Sequence, residues 1–159
     1  MNHSYHILYV HVVIPTKYRF PYLDETWSQR CYQFMMEILL EEGIIVIEIN
    51  GLEDHVHLLL RLKADVNLSK LIGSLKGSTS FQLNKERAHP VKFRWARGYF
   101  VRSVAPQEVG VIRRYIRNQK FRRERKFKEW MDRHFGPSAG GGSQVGSGPP
   151  TPGQPGGDR

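Results

Sequence analysis

The chain has 159 residues and a formal net charge of +9, with 24 Lys or Arg against 15 Asp or Glu. Its length suits one domain with its own core, and its charge favours a polyanionic partner, with nucleic acid the first candidate. The single cysteine, Cys31, excludes an intrachain disulfide, and no apolar run is long enough to span a membrane. We therefore expect a reducing, cytoplasmic setting without a membrane.

The composition changes abruptly near the end of the chain. Fourteen of the 24 residues from 136 to 159 are Gly or Pro, and only Val145 is a sizeable apolar side chain. Such a segment cannot bury enough surface to offset its ordering entropy. We therefore predict a folded domain over residues 1–135 and a disordered tail over residues 136–159.

The sequence pattern of residues 1–135 predicts the element order β-α-β-β-α-β-α. A strand over residues 5–14 ends at Pro15, and a helix with Asp24 as its N-cap ends at Gly43. The later elements are strands at 44–49, 54–62 and 99–104, a helix from Asn67 to Leu83 and a third helix opened by Pro106, with Asn50 and Gly51 as a turn. This order predicts a ferredoxin-like (split βαβ) α+β fold, in which four antiparallel strands carry two helices on one face.

The strand over residues 54–62 organises the chain because its two faces differ. Val56, Leu58, Leu60 and Leu62 alternate with His55, His57, Leu59 and Arg61. Side chains alternate across a strand, so His55 and His57 should share the face opposite the core. Two imidazoles at this spacing can share a metal ion, although a His-x-His pair alone is more often two polar residues on a solvated strand.

The third helix supplies a second group of polar side chains. Tyr115 and Gln119 are four residues apart, so a helix places them on one face, one turn apart. Nine Arg or Lys and one acid occupy residues 113–128, which favours a surface that faces phosphates over a solvated helix face. A cation held by two imidazoles and an amide oxygen, beside a tyrosine nucleophile, suggests phosphoryl transfer.

At this point the chain resembles the single-tyrosine HUH transposases of bacterial insertion sequences, the TnpA type, which includes the REP-associated tyrosine transposases. "HUH" denotes His, a bulky hydrophobe and His, here residues 55–57. The resemblance also rests on the motifs at 16–19, 51–59, 68–77, 95–101 and 115–119, whose order and spacing together are specific.

The resemblance implies an enzyme that cleaves and rejoins single-stranded DNA at hairpin-marked ends in the bacterial cytoplasm. It implies that Tyr115 forms a covalent 5′-phosphotyrosine link and that His55, His57 and Gln119 bind a divalent metal. It favours Mg²⁺ or Mn²⁺, whereas two imidazoles alone would suggest zinc or another transition metal. It further implies a homodimer in which the tyrosine helix of one subunit completes the His pair of the other.

Ten basic residues in or near the first loop, the second helix and the third helix are the candidate DNA contacts. They are Lys17, Arg19, Lys70, Lys76, Arg113, Arg114, Arg117, Lys120, Arg122 and Arg123.

Two other functions compete with DNA cleavage. A non-catalytic RNA- or DNA-binding module on the same fold would need exposed aromatic side chains on its central strands, such as Tyr5, Tyr9 or Tyr99. A histidine-triad nucleotide hydrolase would need a third alternating histidine, but position 59 is Leu.

Overall fold

The structure, a computed structural model, describes residues 4–87, 89–119, 129, 132–133 and 136. Its strands are β1 (Leu8–Pro15), β2 (Ile45–Leu52), β3 (His55–Leu62) and β4 (Phe100–Val104), and its helices are α1 (Glu25–Glu41), α2 (Leu68–Glu86) and α3 (Val109–Arg117). Short 3-10 helices occupy Lys17–Arg19 and Pro106–Glu108. In the described part of the chain, no helix is long and apolar enough to cross a membrane. The predicted tail lies outside the described residues, apart from Gly136.

The four strands form one antiparallel sheet in the order β2-β3-β1-β4. Each β-α-β unit is split by a strand of the other unit, which confirms the predicted ferredoxin-like α+β fold. The N-caps are also confirmed, because Asp24 accepts a hydrogen bond from the Trp27 backbone and Asn67 accepts one from the Lys70 backbone. The first strand begins three residues later than predicted and includes Pro15.

The two faces of the sheet bury different helices. The core side chains of β1 and β3, among them Val12, Val56 and Leu58, pack with α1 and α2. On the opposite face, Leu59 packs with Val104 and with Ile116 of α3. The alternation along β3 therefore assigned its faces correctly, and α3 covers the face that carries the two histidines.

The predicted turn at Asn50 and Gly51 is wrong, because both residues belong to β2 and the turn lies at residues 53–54. Gly51 serves close packing instead, since a Cβ atom on it would lie 2.1 Å from the carbonyl oxygen of His55. The Asn50 side chain donates to the carbonyl oxygens of Ile116 and Arg117, at 3.0 and 3.1 Å. Gly51 therefore allows β2 and β3 to pack closely, and Asn50 anchors the end of α3.

Candidate active site

The two histidines of β3 lie side by side beneath α3. His55 pairs across the sheet with Pro15, and His57 pairs with Val13 on one side and Asn50 on the other. Their ring centroids are 4.9 Å apart, and the relative exposures of the two residues are 2% and 0%. Burial, reinforced by the neighbouring histidines, holds the pKa of His57 well below its ordinary value, so this imidazole is neutral.

A buried ion pair orients His55. Its Nδ1 lies 2.7 Å from Oδ1 of Asp54, and Oδ2 of the same carboxylate accepts from Nη2 of Arg19 at 2.9 Å. An ionised carboxylate can only accept hydrogen bonds, so His55 donates from Nδ1 to Asp54 and its Nε2 is the ring nitrogen that this contact does not use. The sequence did not reveal this role for Asp54, because its side chain could have pointed in any of several directions.

The prediction that Arg19 contacts DNA is corrected, because its side chain is buried in the fold. Its side chain is 5% exposed and also contacts the Asp132 carboxylate, so its guanidinium is not available to a phosphate. The turn preceding α1 aims it inward, with Tyr18 and Arg19 in the left-handed backbone region at φ values of 57° and 52°. Arg19 therefore supports the site from inside the fold.

His11 on β1 is a site residue that the sequence reasoning missed. Its Nε2 lies 2.8 Å from Nδ1 of His57, and the two rings stack with centroids 5.0 Å apart. Burial, with a smaller effect from Arg102, lowers the pKa of His11 to about 4. The sequence pattern could have indicated this role, because Tyr9, His11 and Val13 alternate with the core residues of β1. This alternation puts His11 on the same face of the sheet as His57.

Tyr115 reaches the same face from α3. Its ring meets the His57 ring edge-on, with centroids 5.9 Å apart and an interplanar angle of 89°. The helix is held there by its apolar contacts and by Glu48 of β2, whose Oε2 accepts from Arg113 Nε at 3.2 Å and Arg117 Nη2 at 3.1 Å. One chain thus brings together the predicted tyrosine and the predicted His pair.

Gln119 departs from its predicted position. α3 ends at Arg117, so Gln119 lies in the turn that follows and not one helical turn above Tyr115. It is nevertheless 2% exposed, and its Oε1 has no hydrogen-bond partner among the described residues. A buried amide oxygen of this kind is costly unless another group satisfies it, which makes it suited to a cation.

The remaining predicted DNA contacts fall into three groups. Lys76 makes contacts within the protein: its Nζ donates to the carbonyl oxygens of Ala96, Arg97 and Gly98 at 2.5, 3.1 and 3.4 Å. Burial also lowers the pKa of Lys76. Exposed or partly exposed cations remain at Lys17, Lys70, Arg113, Arg114 and Arg117. Lys120, Arg122 and Arg123 lie outside the described residues.

The donor set fits a divalent cation. The hydrogen bonds to Asp54 and His11 both use Nδ1 atoms, so the Nε2 atoms of His55 and His57 are the nitrogens suited to coordination. Within the described ranges, no three His, Cys, Asp or Glu side chains form a metal cluster. A cation bound by the two imidazoles would thus need further oxygen ligands from substrate or water, as is usual for Mg²⁺, and the buried Oε1 of Gln119 is the candidate amide ligand.

Comparisons with known proteins match this chain to transposases. The profile of the family described as "Transposase IS200 like" matches residues 4–119. Over 115 residues the chain is 27% identical to the transposases for insertion sequence element IS200 from Salmonella typhimurium and Salmonella typhi, with 69% of this chain and 74% of each relative covered.

Two solved structures share the fold. One is a provisionally assigned transposase from Deinococcus radiodurans R1, with a TM-score of 0.60 and 22% identity over 75% of this chain and 95% of that chain. The other is a REP-associated tyrosine transposase bound to a REP hairpin, with a TM-score of 0.58 and 13% identity over 76% of this chain and 72% of that chain.

Proposed function

Because this chain belongs to the IS200-like transposase family, we propose that it cleaves and rejoins single-stranded DNA with Tyr115 as its nucleophile. The observation that carries the proposal is the edge-on contact between the Tyr115 ring and His57, with centroids 5.9 Å apart. This contact joins the tyrosine of α3 to one member of the His pair on β3 within one chain.

In the cleavage step, the Tyr115 oxygen attacks a backbone phosphorus and displaces the 3′ oxygen of the preceding nucleotide. A tyrosine–phosphorus bond forms, the phosphorus–O3′ bond breaks, the phenol loses its proton and the departing oxygen gains one. The 5′ end of the DNA stays linked to the protein. Rejoining is the reverse reaction, in which a 3′ hydroxyl attacks the phosphotyrosine. The phosphotyrosine bond retains the energy of the cleaved phosphodiester bond, so no nucleoside triphosphate is consumed.

His55, His57 and Gln119 would hold a divalent cation, which we propose to be Mg²⁺ or Mn²⁺. When bound, the cation would polarise the scissile phosphate and stabilise the charge that develops on it. His11 and Asp54 orient the two imidazoles, and burial keeps His57 neutral.

The DNA partner we propose is an imperfect hairpin with unpaired flanks. It is supported by the REP hairpin in one neighbouring structure and by the net charge of +9. The homodimer with shared sites remains a prediction from the resemblance. The Tyr115 ring contacts the His57 ring of the same chain, and a dimeric assembly would decide whether the tyrosine of the other subunit takes that place.

The main competing function, an RNA- or DNA-binding module that stacks bases on its sheet, loses support. Such a module needs aromatic side chains exposed on the central strands. Here Tyr9 packs in the cluster around Leu59 and Tyr99 packs against the main core, whereas the exposed Tyr5 precedes β1 and is not on a strand.

The test is capture of a covalent adduct. The protein is incubated with single-stranded oligonucleotides in which a fixed imperfect hairpin has randomised flanks, and protein–DNA products are resolved under denaturing conditions. We expect an adduct with Mg²⁺ or Mn²⁺ that disappears on chelation and in His57→Ala, whereas the exposed-site control His89→Ala retains it. The absence of an adduct with either metal, or an adduct insensitive to chelation, would contradict the proposal.

A further inference from the structure

A basic groove of about 960 Å³ runs between α2 and the segment at residues 92–95. We call it the α2 groove and define it by Lys17, Ser80, Phe81, Lys85, Lys92 and Arg94. It lies with α2 on the side of the sheet that α1 and α2 cover, whereas His55 and His57 lie on the side that α3 covers. Its volume is within the range of ligand-binding clefts, roughly 300–1,000 Å³.

The wall of the α2 groove is fixed by buried contacts. Asn84 of α2 donates to the carbonyl oxygen of Phe93 at 2.9 Å and accepts from the Phe93 backbone at 2.7 Å. Trp95 donates from Nε1 to the Thr79 hydroxyl at 3.0 Å, and its ring meets that of Phe93 at 4.8 Å between centroids. The segment therefore holds its position against α2 without any ligand.

The charge of the groove is of one sign. Its lining includes Lys17, Lys85, Lys92 and Arg94 and no carboxylate. None of these four cations forms an ion pair with a described residue, and Glu86, which follows Lys85 on α2, pairs with Arg30 instead. Cations gathered without ion-pair partners repel one another, so an anionic chain that tracks the groove relieves this repulsion.

Phe81 identifies the kind of anionic chain. It is 66% exposed at the lip of the groove, although a large apolar side chain on a helix is usually buried. A cationic groove with an exposed aromatic ring matches the way proteins hold unpaired nucleic acid, because each base can stack on the ring. In a duplex the bases are already stacked on one another, so this ring has nothing to gain from one.

We propose that the α2 groove binds an unpaired segment of DNA, with its phosphates along the four cations and a base on Phe81. Lys17 is two residues beyond Pro15, which pairs with His55, so one end of the groove lies at the end of the sheet that carries the His pair. A strand held in the groove would leave it at that end. The inference rests on the proposed function for the identity of the nucleic acid as DNA.

The experiment measures binding without cleavage. Full-length protein in EDTA is titrated into fluorescein-labelled dT12 and into a labelled 12-base-pair duplex, and anisotropy is followed over a range of salt concentrations. Lys92→Glu is matched with Lys63→Glu, which makes the same charge change at an exposed position outside the groove. Phe81→Ala is matched with Leu40→Ala, which truncates a side chain 77% exposed on α1. Circular dichroism confirms that each variant is folded.

We expect Phe81→Ala to weaken dT12 binding about tenfold, with little change for the duplex. Lys92→Glu should weaken dT12 binding more than Lys63→Glu and flatten the salt dependence by about 0.7 in log–log slope for each phosphate that the protein no longer neutralises. Equal affinities in each matched pair would overturn the proposal, as would an equal weakening for dT12 and duplex in Phe81→Ala. The adduct assay is separate, so an adduct formed by a protein with no groove effect refutes the groove alone, and a groove effect without any adduct refutes the cleavage proposal alone.

Discussion

The Nε2 atom of His11 lies 2.8 Å from the Nδ1 atom of His57, so a histidine on β1 sets the chemistry of a histidine on β3. If His57 is to bind a cation through Nε2, its proton must sit on Nδ1 and be donated to His11. The His57 ring is therefore oriented by a hydrogen-bonded partner, as the His55 ring is by Asp54. Partners of this kind determine both the tautomer and the basicity of a coordinating imidazole.

The first prediction concerns His11. His11→Ala removes the acceptor for the His57 proton, so Mn²⁺ affinity measured by calorimetry should fall by roughly 10- to 100-fold. His11→Gln should restore part of it, because a glutamine oxygen can reach the place of Nε2. The exposed-site control is His6→Ala, and nitrogen NMR of the His57 ring reports the tautomer directly. Affinity unchanged in His11→Ala would show that the contact is only structural.

The second prediction concerns the buried ion pair of Arg19 and Asp54. Asp54→Asn leaves a guanidinium buried with only part of its counter-charge, so the free energy of unfolding should fall by about 3 kcal/mol in urea titrations. The matched control is Glu86→Gln, which breaks an exposed pair with Arg30 and should leave the unfolding midpoint nearly unchanged. Similar decreases in the two variants would mean that burial does not govern the Arg19 pair.

The third prediction separates two classes of glycine. Gly51→Ala should destabilise the fold by about 1–3 kcal/mol, because its Cβ would clash with the His55 carbonyl and displace the strand that carries the His pair. Gly73→Ala, on an exposed position of α2 with no atom within 4 Å of the new Cβ, should stabilise the helix by up to about 1 kcal/mol. Chemical denaturation of the two variants measures both values, and a stabilising Gly51→Ala would contradict the hairpin packing described here.

The sequence was informative where the pattern was local. The alternation along residues 54–62 assigned both faces of β3, and the caps at Asp24 and Asn67 set the starts of two helices. Each of these features depends on residues within a few positions of one another. The element order that follows from them is enough to define the sheet topology.

The sequence was less informative where the site depends on distant pairing. His11 and His57 are 46 residues apart and Arg19 and Asp54 are 35 apart, so their contacts follow from strand register and from a turn with positive φ values. Asn50 and Gly51 have the composition of a turn, yet close packing and the end of α3 determine their conformation. Gln119 was placed on a helix that ends two residues earlier, since helix ends are poorly specified by periodicity.

The fourth prediction is a pH dependence of stability. The pKa of His11 is about 4 in the fold and 6.5 in its ordinary state, so the unfolded chain binds a proton that the folded chain does not. The contribution of His11 to the free energy of unfolding is therefore fully present above about pH 6.5. It decreases as the pH falls toward about 4, by on the order of 3 kcal/mol. Urea titrations at several pH values should show a shallower decrease for His11→Gln. An identical pH profile in that variant would contradict the assignment to His11.

The fifth prediction tests the central claim that Tyr115 attacks DNA beside the His pair. DNA-linked protein formed with Mn²⁺ is digested, and the modified peptide is sequenced by mass spectrometry, with Tyr115→Phe and the exposed-site control Tyr5→Phe treated in parallel. We expect the DNA remnant on the Tyr115 peptide of the wild type and of Tyr5→Phe, and no adduct in Tyr115→Phe although it still binds DNA. An adduct that survives in Tyr115→Phe, or a remnant on another residue, would contradict the account.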